Sequence, residues 1–190
     1  MRRVALYGGS FDPPHRGHIE IVKALKTLPF IDKVIVMPTF LNPFKTNFVA
    51  PAALRLKWLK EIFADDDKVE VSSFEVDQKD KIPTIDTVSA LKKEYDKIYL
   101  VIGADNLASL HQWYRFDALQ KEVTFIIATR DDIKVPKEYL TLNICVDISS
   151  SGLRQKVDRT KLPKKVASQI ANYYKEHNEQ QNTKNNGHTR

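Results

Sequence analysis

Residues 5–25 read ALYGGSFDPPHRGHIEIVKAL, and the fold turns on the residues after Tyr7. A short apolar strand runs into Gly8 and Gly9, then Asp12-Pro13-Pro14, then His15 and His18, and only then a helical repeat. A plain strand-to-helix connection takes about two to six residues and has no use for imidazoles. Gly8 and Gly9 carry no Cβ and can take positive φ, so a ligand can lie against the main chain. Pro13 and Pro14 stiffen the loop. His15 and His18, at i and i+3, share one side of the first helical turn, and Gly17 between them keeps the approach open. Free N–H groups and the helix dipole at that turn favour a phosphate.

The rest of the chain repeats the strand-then-helix alternation. RRVALY, DKVIVMP, KVEVSSF, DKIYLVIG, EVTFIIATR and NICVDIS are short β-branched or aromatic runs bounded by turn residues. Helical patterns fall between them, from His18 to about Leu28, Ala52 to Phe63, Thr84 to about Glu94, and Asn106 to about Leu119. YLVIG and TFIIAT are apolar without alternation, which marks strands covered on both faces. These patterns predict an α/β fold: a Rossmann-like, doubly wound, mostly parallel sheet with helices on both faces. ISSSGLRQKV and PKKVASQIANYYKEH read as closing helices. Residues 1–177 read as one domain; 178–190 are polar, lack an apolar period, and read as a disordered tail. In such a sheet a ligand sits beyond the carboxyl ends of the strands, where the strand order reverses, so the loop at residues 8–18 is well placed to hold one.

Composition sets bounds without choosing a function. The chain has 190 residues, 42% of them hydrophobic, enough for one good core. No apolar run reaches the length of a membrane span, and the glycine-broken amino terminus does not read as a signal peptide. The lone Cys145 sits in the apolar run LNICVDI and reads as a buried structural thiol; one cysteine allows no internal disulfide, which suits the cytoplasm. A net charge of +6 favours anionic partners without separating nucleotides from nucleic acid or a membrane surface.

Neither the P-loop pattern nor G-x-G-x-x-G is present in the first loop. What it resembles is the G-x-F-D-P-x-H-x-G-H signature of the HxGH nucleotidyltransferase superfamily, carried by Gly8 or Gly9, Phe11, Asp12, Pro13, His15, Gly17 and His18. A second box, VDISSSGLR, is similar to that superfamily's I-S-S-[ST]-x-[IL]-R, through Ile148, Ser149, Ser150, Ser151, Leu153 and Arg154. Ser149 alone could serve as a helix N-cap; hydroxyls, helix amides and an arginine one turn in would also suit triphosphate oxygens. The related class I aminoacyl-tRNA synthetases share the histidine box, but the chain is too short and has no KMSKS string.

The segment VIGADNLASLHQWYRFDAL is similar to the I-G-x-D-x-L…W-[YFH] segment of nicotinate-nucleotide adenylyltransferases, through Ile102, Gly103, Asp105, Leu107, Trp113 and Tyr114. Pantetheine-phosphate adenylyltransferases share both boxes but lack the Trp-Tyr arrangement. Lys45 matches a basic residue in the family's loop after the second strand, and Arg55 a basic position on the second helix. KIPTIDTV aligns with S-Y-T-x-x-T-[LI], retaining Thr84 and Thr87 but with Pro83 where the family has tyrosine.

The resemblance implies adenylyl transfer from ATP to nicotinate mononucleotide. It assigns ATP to Gly8, Gly9, Ser10, Phe11, His15, His18, Gly103, Asp105, Ile148, Ser150, Ser151 and Arg154, with His15 and His18 catalytic. It assigns nicotinate mononucleotide to Lys45, Thr84, Trp113 and Tyr114. Mg²⁺ is expected on substrate phosphates and water rather than in a protein cage. No nucleic-acid or membrane partner is expected, and a homo-oligomer stays open. Two rivals also stay open: another acceptor such as nicotinamide mononucleotide or 4′-phosphopantetheine, and a non-catalytic nucleotide sensor or RNA-binding protein.

Overall fold

The computed structural model describes residues 1–41, 48–129, 134–144, 146 and 148–186; Lys45 and Cys145, singled out above, lie outside them. Six strands, β1 (Arg3–Gly9), β2 (Lys33–Pro38), β3 (Val69–Val71), β4 (Lys97–Gly103), β5 (Val123–Thr129) and β6 (Leu140–Asn143), form one sheet. Their order is β3-β2-β1-β4-β5-β6, and every pairing is parallel. The order reverses between β1 and β4, so the crevice opens where β1 ends at Gly9 and β4 ends at Gly103.

Alternate residues of the central strands feed two separate cores. Ala5, Tyr7, Val34, Val36 and Val101 face α1 (Arg16–Thr27) and α2 (Ala52–Phe63), packing on Val22, Leu25, Leu59 and Phe63. Val4, Leu6, Ile35, Leu100 and Ile102 face the other way, onto Ile85 and Val88 of α4 (Thr84–Leu91) and Leu119 of α5 (Phe116–Glu122). Burial on both faces is why the strands carry no polar alternation. A third cluster gathers Trp58 of α2, Leu153 of α6 (Ser150–Gln155), and Ile170 and Tyr174 of α7 (Ala167–Asn186).

Several boundaries differ from expectation, each for a local reason. KVEVSSF is strand only over Val69–Val71; Phe74–Gln78 turn into a short helix, α3, ended by Lys79 in the left-handed region at φ 55°. The expected helix over 106–119 is two pieces, a 3-10 stretch (Ala104–Gln112) and α5, separated because Trp113 is extended and Arg115 left-handed. NICVDIS is not a strand throughout: β6 ends at Asn143, opposite Thr129, the last residue of β5, and the Ile144 N–H still donates to the Thr129 carbonyl at 2.9 Å; Cys145 and Asp147 lie outside the described residues. Gly8 and Gly9 take no positive φ and lie in β1 itself; Phe11 makes the left-handed turn instead, at φ 49°.

Residues 178–186 of the expected tail are also different, and 187–190 lie outside the described residues. Helix α7 runs on through Asn186 where irregular chain from Asn178 is expected. Gln, Glu, Lys and Asn extend an existing helix without a new nucleus, and Asn178 Nδ2 donates to the Arg154 carbonyl at 2.9 Å, tying that turn down. No described helix is long and apolar enough to cross a membrane.

Candidate active site

Asp12 is the centre of the first loop. It is 2% exposed and accepts from three donors, the Val49 N–H (3.0 Å) on one oxygen, the Ala50 N–H (2.9 Å) and the Tyr174 hydroxyl on the other. Burial and that carboxylate raise the Tyr174 pKa and keep its proton in place. Arg55, fully buried, adds a second clamp: its guanidinium donates to the carbonyls of Ala50 (3.0 Å), Ser10 (2.6 Å) and Phe40 (3.1 Å). Burial lowers its pKa and the Asp12 charge opposes that. Arg55 is therefore not a surface residue and is not among the residues that line the cleft described below; it holds the loop that carries the histidines.

His18 stands where the cleft begins. Its ring stacks on His15, centroids 3.7 Å apart, and meets Phe11 edge-on at 4.9 Å. The His15 backbone N–H donates to His18 Nδ1 at 3.1 Å. An N–H needs a lone pair to point at, so the neutral ring carries its proton on Nε2. Burial, then the neighbouring His15, hold the His18 pKa well below its usual value. The result is a neutral, fixed-tautomer donor. Gly17 has a role not visible in the spacing: a Cβ there would lie 3.0 Å from the His15 ring, so glycine lets that ring lie flat over the helix start.

The two motif boxes meet in space. Ser150 Oγ donates to the Pro13 carbonyl at 2.9 Å, and Arg154 Nη1 donates to the Asp12 carbonyl at 2.6 Å. Ser149 takes the capping role, accepting from the Gly152 N–H at 3.2 Å. Helix α7 clasps both boxes, through Tyr174 on Asp12 and Asn178 on the Arg154 carbonyl. Neither residue stands out in the sequence, because a tyrosine in an amphipathic helix and an asparagine in a polar run carry no pattern of their own.

Between β1 and β4 opens a cleft of about 600 Å³. Its walls include Gly8, Gly9, Ser10, Phe11, His18, Gly103, Asp105 and Ser150 from the expected ATP set, with Thr84, Trp113 and Tyr114 from the expected acceptor set. His15, Ile148, Ser151 and Arg154 are not among its lining residues. At Gly8 a Cβ would meet only the Met37 carbonyl at 3.9 Å, so the missing side chain leaves open space on the cleft wall. At Gly103 a Cβ would lie 2.5 Å from Asp105 Oδ1, so glycine allows the carboxylate to fold back over the end of β4. Trp113 packs partly on the second core, and its buried indole N–H has no partner among the described residues. Tyr114 beside it is 64% exposed.

Sequence reasoning passes over Glu75. It lines the same cleft, is 7% exposed, and accepts from the Thr87 hydroxyl at 2.7 Å. Burial pushes its pKa up to about 7, with the Thr87 bond pulling the other way. The signal that could have found it is an acid between two apolar residues, Phe74 and Val76, placed between a strand and the KIPT turn.

A family model described as cytidylyltransferase-like matches residues 6–156. The probable nicotinate-nucleotide adenylyltransferase of Sulfurimonas denitrificans is 56% identical over 176 residues, covering 93% of this chain and 97% of its own. The probable nicotinate-nucleotide adenylyltransferase of Campylobacter fetus is 46% identical over 177 residues, 92% of this chain and 98% of its own. Among solved structures, the Plasmodium falciparum nicotinic acid mononucleotide adenylyltransferase complexed with NaAD aligns with a TM-score of 0.75 at 21% identity, over 94% of this chain and 97% of that one. A putative nicotinate-nucleotide adenylyltransferase from Vibrio parahaemolyticus aligns with a TM-score of 0.66 at 19% identity, over 90% and 99%. The solved structures agree on the fold, and the two sequence relatives agree over nearly their whole length; the chain belongs to the nicotinate-nucleotide adenylyltransferase family.

Proposed function

We infer that the protein transfers the adenylyl group of ATP to nicotinate mononucleotide, giving the dinucleotide and pyrophosphate. The observation that carries this reading is one cleft lined both by His18 and the glycine end of β1 and by Thr84, Trp113 and Tyr114. The nucleophile is a phosphate monoester with a second pKa of about 6, already largely dianionic at neutral pH. No general base is required. The protein's work is in-line positioning and stabilisation of charge on the transferring phosphoryl group. His18 Nε2–H donates to an α-phosphate oxygen. His15 fixes that ring from behind. Ser150, Ser151 and Arg154 take the β- and γ-phosphates, the Ser150 hydroxyl turning from the Pro13 carbonyl to do so.

Mg²⁺ belongs on the phosphate oxygens in this reading. Asp105, exposed beside the end of β4, offers a carboxylate at the cleft, and no cluster of three acidic or imidazole groups converges among the described residues. That donor set fits an ion that keeps most of its waters. When bound, the ion neutralises charge on the leaving pyrophosphate. Lys45 remains a proposed acceptor contact. Both substrates are freely soluble phosphorylated nucleotides, and we place the reaction in the cytoplasm, without nucleic acid or membrane.

Two measurements test this. Purified protein given ATP, Mg²⁺ and each candidate acceptor is expected to release pyrophosphate fastest with nicotinate mononucleotide. Backbone N–H groups near Thr84 and Tyr114 suit a carboxylate, which accepts at both oxygens, better than an amide, which turns a donor toward one of them. The preference over nicotinamide mononucleotide is expected at about tenfold to several hundredfold in kcat/KM. Equal rates would move the acceptor assignment. Separately, Arg154→Ala is expected to weaken ATP by roughly 1.5–3 kcal/mol, the worth of hydrogen bonds to a charged group, and AMP far less. Equal weakening of both would mean that the arginine serves the Asp12 loop alone.

A further inference from the structure

We propose that Glu75 makes the choice between an acid and an amide on the pyridine ring depend on pH: protonated, its carboxyl donates to a ring carboxylate, and ionised, it turns that carboxylate away. The proposal rests on the pyridine nucleotide reading above. Its basis is placement. Glu75 sits on α3 and lines the cleft together with Pro83 and Thr84. Thr87, one turn into α4, donates its hydroxyl to one carboxyl oxygen at 2.7 Å and so fixes the group in the cleft that Pro83 and Thr84 also line. With one oxygen occupied, the other is left to meet whatever enters that part of the cleft.

A buried carboxylate facing a second carboxylate is costly unless a proton lies between them. Burial has already brought Glu75 to about 7, within reach of ordinary pH, and an incoming carboxylate would raise it further. An amide substituent does not require that proton, because its NH₂ can donate to the ionised form.

The titratable and charged groups around Glu75 do not neutralise it. On its own helix, Asp77 accepts from Ser73. Strand β2 brings Lys33, which pairs with Glu70. Helix α2 brings Arg55, held by three loop carbonyls, with Lys57, Lys60 and Glu61. Helix α4 brings Asp86, and the cleft brings Lys81, Asp105 and His18. Among the described residues no ion pair joins any of these to Glu75.

The test is the ratio of kcat/KM for nicotinate mononucleotide to that for nicotinamide mononucleotide, measured from pH 6.5 to 8.5 at saturating ATP and Mg²⁺. Both acceptors carry the same phosphate monoester, so its titration cancels in the ratio. The wild-type ratio is expected to fall by at least about tenfold across that range, as an essential protonated acid is lost. Glu75→Gln keeps an oxygen for Thr87 and a donor for the carboxylate but cannot ionise, so its ratio is expected to stay high and flat. Thermal unfolding of the variant reports any structural role, which would not change the slope. A flat wild-type ratio, or the same slope in Glu75→Gln, overturns the proposal while leaving adenylyl transfer standing. Turnover of neither acceptor overturns the pyridine reading and this proposal together.

Discussion

Replacing His18 by alanine is expected to lower kcat by about 10²–10³, or roughly 2.7–4 kcal/mol of transition-state stabilisation, while ATP binding changes much less. The magnitude reflects what the ring does. Its Nδ1 is occupied by the His15 N–H, so it offers one donor, Nε2–H, held in place before the substrate arrives. Stacking on His15 and edge contact with Phe11 leave it little freedom to swing away. A preorganised donor aimed at developing charge contributes more in the transition state than in the ground state. The same geometry fixes a pH dependence. Because burial and His15 depress its pKa, His18 stays a neutral donor on both sides of pH 6.5 and adds no limb to kcat there. Any acidic limb with an apparent pKa of about 6 belongs to the acceptor's phosphate and persists in His18→Ala. The check is kcat against pH for both proteins. Near wild-type turnover in the variant, or a limb that vanishes with the imidazole, would remove His18 from the chemistry.

How much of the fold and site is legible in the sequence depends on the range of the interaction. The parallel sheet is readable because burial on both faces leaves uninterrupted apolar runs such as YLVIG, and β4 occupies that run. The histidine box is readable because His15 and His18 interact three residues apart, within one helical turn. Arg55 is easily misjudged because a basic residue on a helix is ordinarily solvated; its burial depends on carbonyls of Ser10, Phe40 and Ala50, set by loops that have no periodicity. The break at Trp113–Arg115 is hidden because local pattern there still reads as helix, and the left-handed Arg115 has no glycine to announce it. Glu75 escapes notice for a related reason: its meaning comes from Thr87 and the cleft, on a different helix. Contacts within a turn can be read from spacing, whereas those closed across the sheet edge cannot.

Asp12→Asn is expected to cost about 2–4 kcal/mol of stability, a large share of the roughly 5–15 kcal/mol that holds a domain together. Three donors converge on the carboxylate, two backbone N–H groups and the Tyr174 hydroxyl. An ionised carboxylate accepts on both oxygens, whereas an asparagine must present its NH₂ to one of them. Turned one way, the amide meets the Val49 N–H; turned the other, it meets the Ala50 N–H and the tyrosine. Either choice leaves a buried donor facing a donor. The substitution also removes the charge that offsets desolvation of Arg55, so the second clamp on the same loop weakens with the first. Tyr174→Phe removes a single donor and leaves both N–H bonds intact, and about 1 kcal/mol is expected there. Urea unfolding separates the two: the midpoint should fall much further for Asp12→Asn than for Tyr174→Phe, with the slope unchanged. Activity should keep the same order, because the loop that Asp12 holds carries His15 and His18. An Asp12→Asn protein as stable as wild type would mean that the histidines are positioned by the β1–α1 backbone alone, and that the clasp from α7 through Tyr174 is dispensable.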